Sequence, residues 1–162
     1  LMLGYYEDEE ATNQAIEIVD GERWFHSGDI GYLDQDGFLY ITGRCKNVIV
    51  TQNGKNIYPE EIELLLAQVP EIKECMVYGK EDNKELIISV KVIPNMEEIE
   101  EKYGKDLPEE KIREIIWNKI KEVNKQLTSY KAIKNLEIKH DEFEKTTTMK
   151  IKRYAELKKD TK

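Results

Sequence analysis

The sequence is short of the residues that most often build metal or disulfide sites: it has two cysteines and two histidines in 162 residues. Cys45 and Cys75 form no Cys-X-X-Cys, and His26 and His140 stand far apart with no cysteine or histidine cluster around them. Neither a disulfide framework nor a zinc site is indicated, and a reducing, cytoplasmic setting is the simplest expectation. Basic charge is scarce relative to acidic: 25 Lys and Arg against 33 Asp and Glu leave a net −8. That balance argues against a nucleic-acid partner, since a phosphate backbone calls for a basic face. Long apolar runs are lacking too. Stretches such as Ile87-Ile88-Ser89-Val90 stop far short of the ~18 residues a membrane span requires. The opening Leu1-Met2-Leu3-Gly4-Tyr5-Tyr6 has neither the basic nor the apolar region of a secretory leader; it reads as the interior of a longer chain.

What is present suffices for a core. Hydrophobic residues make up 40%, and the 9 glycines raise the apolar share to about 46%, within the ordinary globular range. Charged residues reach 36%, yet isoleucine, leucine, valine and tyrosine recur throughout, so wholesale disorder is excluded. The length suits one domain, or one domain with a fragment.

Patterning then places the elements. Residues 11–20 read as a short helix ending at the Asp20-Gly21 turn. Trp24-Phe25, Gly31-Tyr32-Leu33 and Phe38-Leu39-Tyr40-Ile41 read as strands, with Asp36-Gly37 as a hairpin turn. A second hairpin joins Val48-Ile49-Val50 to Asn56-Ile57-Tyr58, and Asn53-Gly54 supplies its turn chemistry. Pro59, Glu60 and Glu61 suit a helix start, and Ile62, Leu65, Leu66 and Val69 give a helix over 59–68 one buried face. Strands are expected at 75–78 and 85–93. In the second, Leu86, Ile88, Val90 and Val92 share one face, while Ser89 and Lys91 imply a wet opposite side. Residues 95–107 read as a loop or frayed helix. From Pro108 to about 127 the stripe Ile112, Ile115, Ile116, Ile120, Val123 and Leu127 marks a firm helix. A short strand at 136–138, a threonine-rich loop over 144–152 and a helical turn over 154–159 complete a small α+β arrangement.

Several candidate sites have plain structural readings. Asp34-Gln35-Asp36-Gly37 lacks the glutamate a calcium loop needs at its twelfth place, where Cys45 stands. The acidic run 97–102 reads as a solvated face. Three segments ask for more. One is Trp24-Phe25-His26-Ser27-Gly28-Asp29-Ile30-Gly31-Tyr32, whose carboxylate sits between glycines, although an aspartate there also caps turns. Another is Gly43-Arg44-Cys45-Lys46-Asn47-Val48-Ile49-Val50, continuing into Asn53-Gly54-Lys55-Asn56-Ile57-Tyr58-Pro59-Glu60-Glu61-Ile62-Glu63. The third is Lys145-Thr146-Thr147-Thr148-Met149-Lys150-Ile151-Lys152-Arg153.

In order and spacing these three segments together resemble the C-terminal part of the adenylate-forming enzymes: acyl-CoA synthetases, adenylation domains of peptide synthetases, and luciferases. Within that superfamily they look most like the long-chain fatty acid–CoA ligases. The resemblance implies an α+β fold in which residues 1–44 are the last, β-rich segment of a large N-terminal domain. Residues 45–162 would be a small mobile C-terminal domain of short antiparallel sheets and flanking helices. It implies two steps: a carboxylate attacks ATP to give acyl-AMP and pyrophosphate, then the thiol of coenzyme A displaces AMP.

By the same resemblance, Asp29 accepts hydrogen bonds from the ribose hydroxyls and Arg44 offers a fork of donors beside them. Lys46 is the hinge about which the small domain swings between two poses. Lys150 is the catalytic cation of adenylation, bridging substrate carboxylate and α-phosphate, although a lysine-rich tail also contains ordinary surface lysines. Gly54 lines the pantetheine path in the second pose, compatibly with its role in a turn. The family often has glycine where Met149 stands. ATP, coenzyme A and Mg2+ are the implied cofactors, bound mainly by the large domain, and no metal ligand is expected in this chain. The implied partners are a fatty acid or other carboxylate and the large domain itself, with peripheral membrane contact and self-association of the fragment left open. The fragment alone is expected to be inactive. Two other readings stand beside this one: a non-catalytic acidic interaction module, and an adenylating enzyme that loads a carrier protein.

Overall fold

The structure, a computed structural model, describes residues 1–82 and 85–158. The chain divides into two units, Leu1–Asn47 and a second beginning at Val48.

In the first unit, helix α1 (Glu9–Ala15) is capped by Asp8, whose carboxylate accepts the Ala11 N–H at 2.9 Å. Two antiparallel pairs follow, β1 (Ile16–Val19) with β2 (Glu22–Phe25) and β3 (Asp29–Leu33) with β4 (Leu39–Arg44). The helix expected over 11–20 therefore stops at Ala15. Ile16, Ile18 and Val19 are β-branched, and a two-residue turn of Asp20 (φ 51°) and Gly21 (φ 82°) folds them onto β2. The second hairpin turns at Asp36-Gly37 as its sequence predicts, with Asp34 Oδ1 accepting the N–H groups of Asp36 and Phe38 at 3.0 and 2.9 Å. Gly31 is a requirement of this pairing, because a Cβ there would lie 2.5 Å from the Tyr40 carbonyl oxygen. The register shifts at Ile30/Gly31, and Tyr32 stacks on Tyr40 with centroids 5.2 Å apart. Gly43 is the only buried residue of this unit. Trp24, Phe25, Tyr32, Leu33, Phe38 and Leu39 are all exposed, so hydrogen bonding and turn chemistry hold these strands rather than a core.

The second unit is built on a sheet. A small hairpin of β5 (Ile49–Val50) and β6 (Asn56–Ile57) leads into α2 (Pro59–Leu66). The strands β7 (Ile72–Asp82), β8 (Glu85–Pro94) and β9 (Ile133–Ile138) lie in that order, β7 antiparallel and β9 parallel to β8. Between β8 and β9 come α3 (Met96–Tyr103) and α4 (Glu109–Asn124), the crossover that a parallel pair requires. One sheet face carries Val77, Ile88, Val90, Val92 and Leu136 and packs on Ile62 and Leu66 of α2 and on Ile112, Ile116 and Ile120 of α4. Those helical positions are the apolar stripes read from the sequence.

Three expectations change here. The segment 95–107 holds a definite helix, because Ile99 is fully buried in the core and Gly104 ends α3 at φ 101°. The side of β8 expected to be wet is dry: Ser89 is 0% and Lys91 5% exposed. What covers it is the returning C-terminal segment, in which Phe143 and Ile151 pack with Met76, Tyr78 and Ile93 in a second apolar cluster. Finally, the β5–β6 turn uses positive φ at Gly54 (70°) alone and not at Asn53. The chain then forms α5 (Arg153–Lys158); Lys159, expected in that helix, lies outside the described residues. No helix among the described residues is long and apolar enough to cross a membrane.

Candidate active site

In the first unit, β3 and β4 place Asp29 directly opposite Arg44. Their side chains form an ion pair, Arg44 Nε to Asp29 Oδ1 at 2.9 Å, at 49% and 29% exposure. The local chain arranges this. Gly28, at φ 74°, turns into β3 and its carbonyl accepts the Cys45 N–H at 2.9 Å, while Ser27 Oγ accepts the Asp29 N–H at 3.1 Å. An exposed carboxylate held beside a planar fork of donors is a fit for vicinal hydroxyls. Lys46 follows at once, exposed in a 3-10 turn, Cys45–Asn47, the last residues of this unit.

In the second unit, Gly54 sits in the β5–β6 turn. Its N–H donates to the Thr51 carbonyl at 2.9 Å, the Thr51 N–H donates to the Lys55 carbonyl at 2.9 Å, and Thr51 Oγ1 accepts the Lys55 N–H at 3.0 Å. A Cβ at Gly54 would meet nothing within 4 Å, so the glycine serves the backbone angle and leaves the turn bare. Lys55 projects over the ring of Tyr130, 4.4 Å from its centroid.

Lys150 sits on a tight hairpin closed by a bridge between Lys145 and Ile151. Within it the Thr146 N–H donates to the Lys150 carbonyl at 2.8 Å, the Met149 N–H to the Thr146 carbonyl at 2.9 Å, and the Lys150 N–H to Thr146 Oγ1 at 3.2 Å. Met149 takes φ 61°, the left-handed conformation that favours glycine, and is 71% exposed. Of the lysines in this arm, Lys145 pairs with Glu74 at 2.6 Å and Lys152 with Glu144 at 2.8 Å. Among the described residues the Lys150 ammonium has no such partner, and the residue is exposed.

The root of the arm is where sequence reading missed residues. Buried Glu156 accepts the Glu144 N–H at 2.9 Å through Oε1, lies 3.5 Å from Lys139 Nζ, and offers its carbonyl to Lys91 Nζ at 3.1 Å. Arg153 donates to both carboxylate oxygens of Glu63 at 2.7 and 2.6 Å and to the Val77 carbonyl at 2.7 Å. Burial pushes the Glu63 carboxyl above the usual range, and the opposing pull of Arg153 and of the Val77 N–H does not cancel that rise. Glu63 and Arg153 close the second and third of the sequence segments singled out above, but nothing local to either marks them as partners across 90 positions.

The fold and these loops define a class: a small α+β domain that presents a glycine turn from the β5–β6 hairpin and a lysine on a separate tight hairpin. Residues 46–159 match the family described as AMP-binding enzyme C-terminal domain, and the chain belongs to that family. A long-chain-fatty-acid–CoA ligase of Gallus gallus is 34% identical over 175 aligned residues, covering 99% of this chain and 22% of that protein. A 2-succinylbenzoate–CoA ligase of Geobacillus kaustophilus is 46% identical over 79 residues, 49% of this chain and 15% of that protein. The chain thus spans less than a quarter of the length of these curated relatives. Among solved structures, an o-succinylbenzoate CoA synthetase from Bacillus subtilis, in complex with its acyl-adenylate intermediate, aligns over 95% of this chain and 28% of that one. Its TM-score is 0.72 at 26% identity.

Proposed function

We propose that this chain is the C-terminal part of an AMP-forming acyl-CoA ligase that activates a long-chain fatty acid as acyl-AMP and passes it to coenzyme A. The observation that carries the reading is the Lys150 arm: a solvent-facing ammonium with no ion pair among the described residues, on a hairpin whose root is buried and ion-paired. A cation so presented can offset negative charge developing at a phosphoryl group and a carboxylate, and needs no reorganisation to do so. The Asp29–Arg44 pair supports nucleotide binding through the ribose hydroxyls. The division of the chain at Asn47/Val48 supports Lys46 as a hinge, and the bare Gly54 turn supports passage of a thin thiol-bearing arm. By the family resemblance, Mg2+ with ATP would be held mainly by the large domain. Long-chain substrates are preferred because a relative 34% identical and aligned over 99% of this chain bears that name.

The test uses the complete enzyme that carries this sequence, with both half-reactions assayed separately and palmitate and 2-succinylbenzoate offered in parallel. Lys150→Ala is expected to slow ATP–pyrophosphate exchange by about 10²–10³-fold, by analogy with loss of an oxyanion-hole donor, and to leave thioester formation from supplied acyl-adenylate nearly unchanged. Lys46→Pro fixes φ at the hinge and should impair one step far more than the other. If Lys150→Ala slows both steps alike, or neither, the lysine is an ordinary surface residue and the reading fails. Exchange with 2-succinylbenzoate but not palmitate would refute the long-chain assignment, and acyl transfer to a carrier protein but not to coenzyme A would refute the acceptor.

A further inference from the structure

A hairpin of five loop residues, closed at its base by a single bridge between half-buried Lys145 and Ile151, would swing widely unless something fixed its C-terminal side. Arg153, three positions beyond Lys150, is placed to do this. β7 is an outer strand of the sheet, and an outer strand has backbone groups without a neighbouring strand to pair with. At Val77 both are met by side chains. The N–H donates to Glu63 Oε1 at 2.6 Å, and the carbonyl accepts from Arg153 Nη1 at 2.7 Å. Arg153 Nη2 closes the triangle on both oxygens of Glu63, with Glu60, one turn earlier on α2, 3.7 Å away. Both side chains are about one-fifth exposed, so this pair is far less screened than a surface one.

The geometry points to Glu63 and Arg153 as positioning residues for Lys150, locking the lysine arm to the sheet edge and to α2 so that the ammonium holds one place. The inference rests on Lys150 being the adenylation cation. The N-terminal side of the arm has its own ties, Lys145 to Glu74 and Glu144 to Glu156, so loss of Arg153 frees only the C-terminal side and does not release the segment. Because α2 starts two positions after β6, the same ion pair binds the Gly54 hairpin and the Lys150 arm into one body.

The complete enzyme is compared with its Arg153→Ala, Arg153→Lys, Glu63→Gln and Lys150→Ala variants. Adenylation, thioester formation from supplied acyl-adenylate, and thermal melting are measured for each. Misplacement of a catalytic group by about 1 Å costs roughly 10²-fold. Arg153→Ala should therefore lower adenylation kcat by about 10–100-fold, while KM for ATP and carboxylate and the thioester rate move less than about threefold. Added methylguanidinium should restore part of the lost rate. Arg153→Lys keeps the charge but not the fork and should recover less than half of the loss on a logarithmic scale. Glu63→Gln keeps an acceptor for the Val77 N–H and should fall by about tenfold or less.

A role in stability alone would lower both half-reactions together and follow the melting temperature; that outcome overturns the inference. It is equally overturned if Lys150→Ala cripples adenylation while Arg153→Ala keeps it within threefold. An unaffected Lys150→Ala enzyme sinks instead the reading on which the inference stands. Should Arg153→Ala fail to fold, Arg153→Lys and Glu63→Gln carry the same comparison between half-reactions.

Discussion

Glu156 is the buried acid on which the underside of the lysine arm rests, and its removal has a size that can be worked out. At 1% exposure its Oε1 accepts the Glu144 N–H and its Oε2 faces Lys139 Nζ, itself 17% exposed. Glu156→Ala strands that N–H, at about 1–3 kcal/mol, and leaves a half-buried ammonium without its counter-charge, about 1 kcal/mol more. The expected total is about 3 kcal/mol, or roughly 12 °C in Tm at ~4 °C per kcal/mol for a unit of this size. Glu156→Gln keeps the Oε1 acceptor and loses only the charge, so it should cost about 1 kcal/mol. Urea unfolding followed by Trp117, which packs against the core, measures both variants in a Trp24→Phe background that removes the other tryptophan. If alanine costs less than about 0.5 kcal/mol, or glutamine costs as much as alanine, the buried acid does not hold the arm as described.

Met149, left-handed and exposed, should tolerate glycine with a stability change between zero and about +1 kcal/mol, whereas Met149→Val should lose about 1–2 kcal/mol; equal losses in the same urea titration would show that its φ carries no strain. Burial pushes the Cys75 thiol up to about 12, ahead of a smaller push from the Glu63 charge, while Cys45 is exposed. At pH 8 the thiolate share of Cys75 is then of order 10⁻⁴, so alkylation followed by peptide mass analysis should label Cys45 alone until the chain is unfolded, and parallel labelling of both thiols would contradict the packing around β7.

What the sequence made legible was whatever a local pattern encodes. The α4 stripe, the Asp36-Gly37 turn and Pro59 at the start of α2 all follow from spacing of a few residues, whereas Asp29 and Arg44 stand out by family resemblance alone and their pairing comes from the β3–β4 register. The wet face assigned to Ser89 and Lys91 fails for a physical reason: alternation reveals that a strand has two faces, and says nothing of a distant segment that covers the polar one. Lys91 is admitted there because the Glu156 carbonyl accepts from it and the Tyr78 ring lies 5.7 Å beneath its ammonium. The helix at 96–103 was obscured by its acidic surface, since a single residue, Ile99, carries its burial. Positioning by Glu63 and Arg153 is invisible in either neighbourhood, because each looks like a charged residue on an exposed helix until the chain brings them together.

The segment 143–156 reaches back over β7 and β8, laid down some 65 to 76 positions earlier. Contacts that distant form late, after the loop between them has been closed against its entropy. During synthesis on the ribosome, α2, β7, β8, α4 and β9 can meet before residue 143 has been made, leaving Ser89 and Lys91 turned to water. The arm that presents Lys150 is therefore the last feature of this unit to be ordered, and a chain interrupted before Glu156 would have the sheet and its helical face with no fixed lysine to offer.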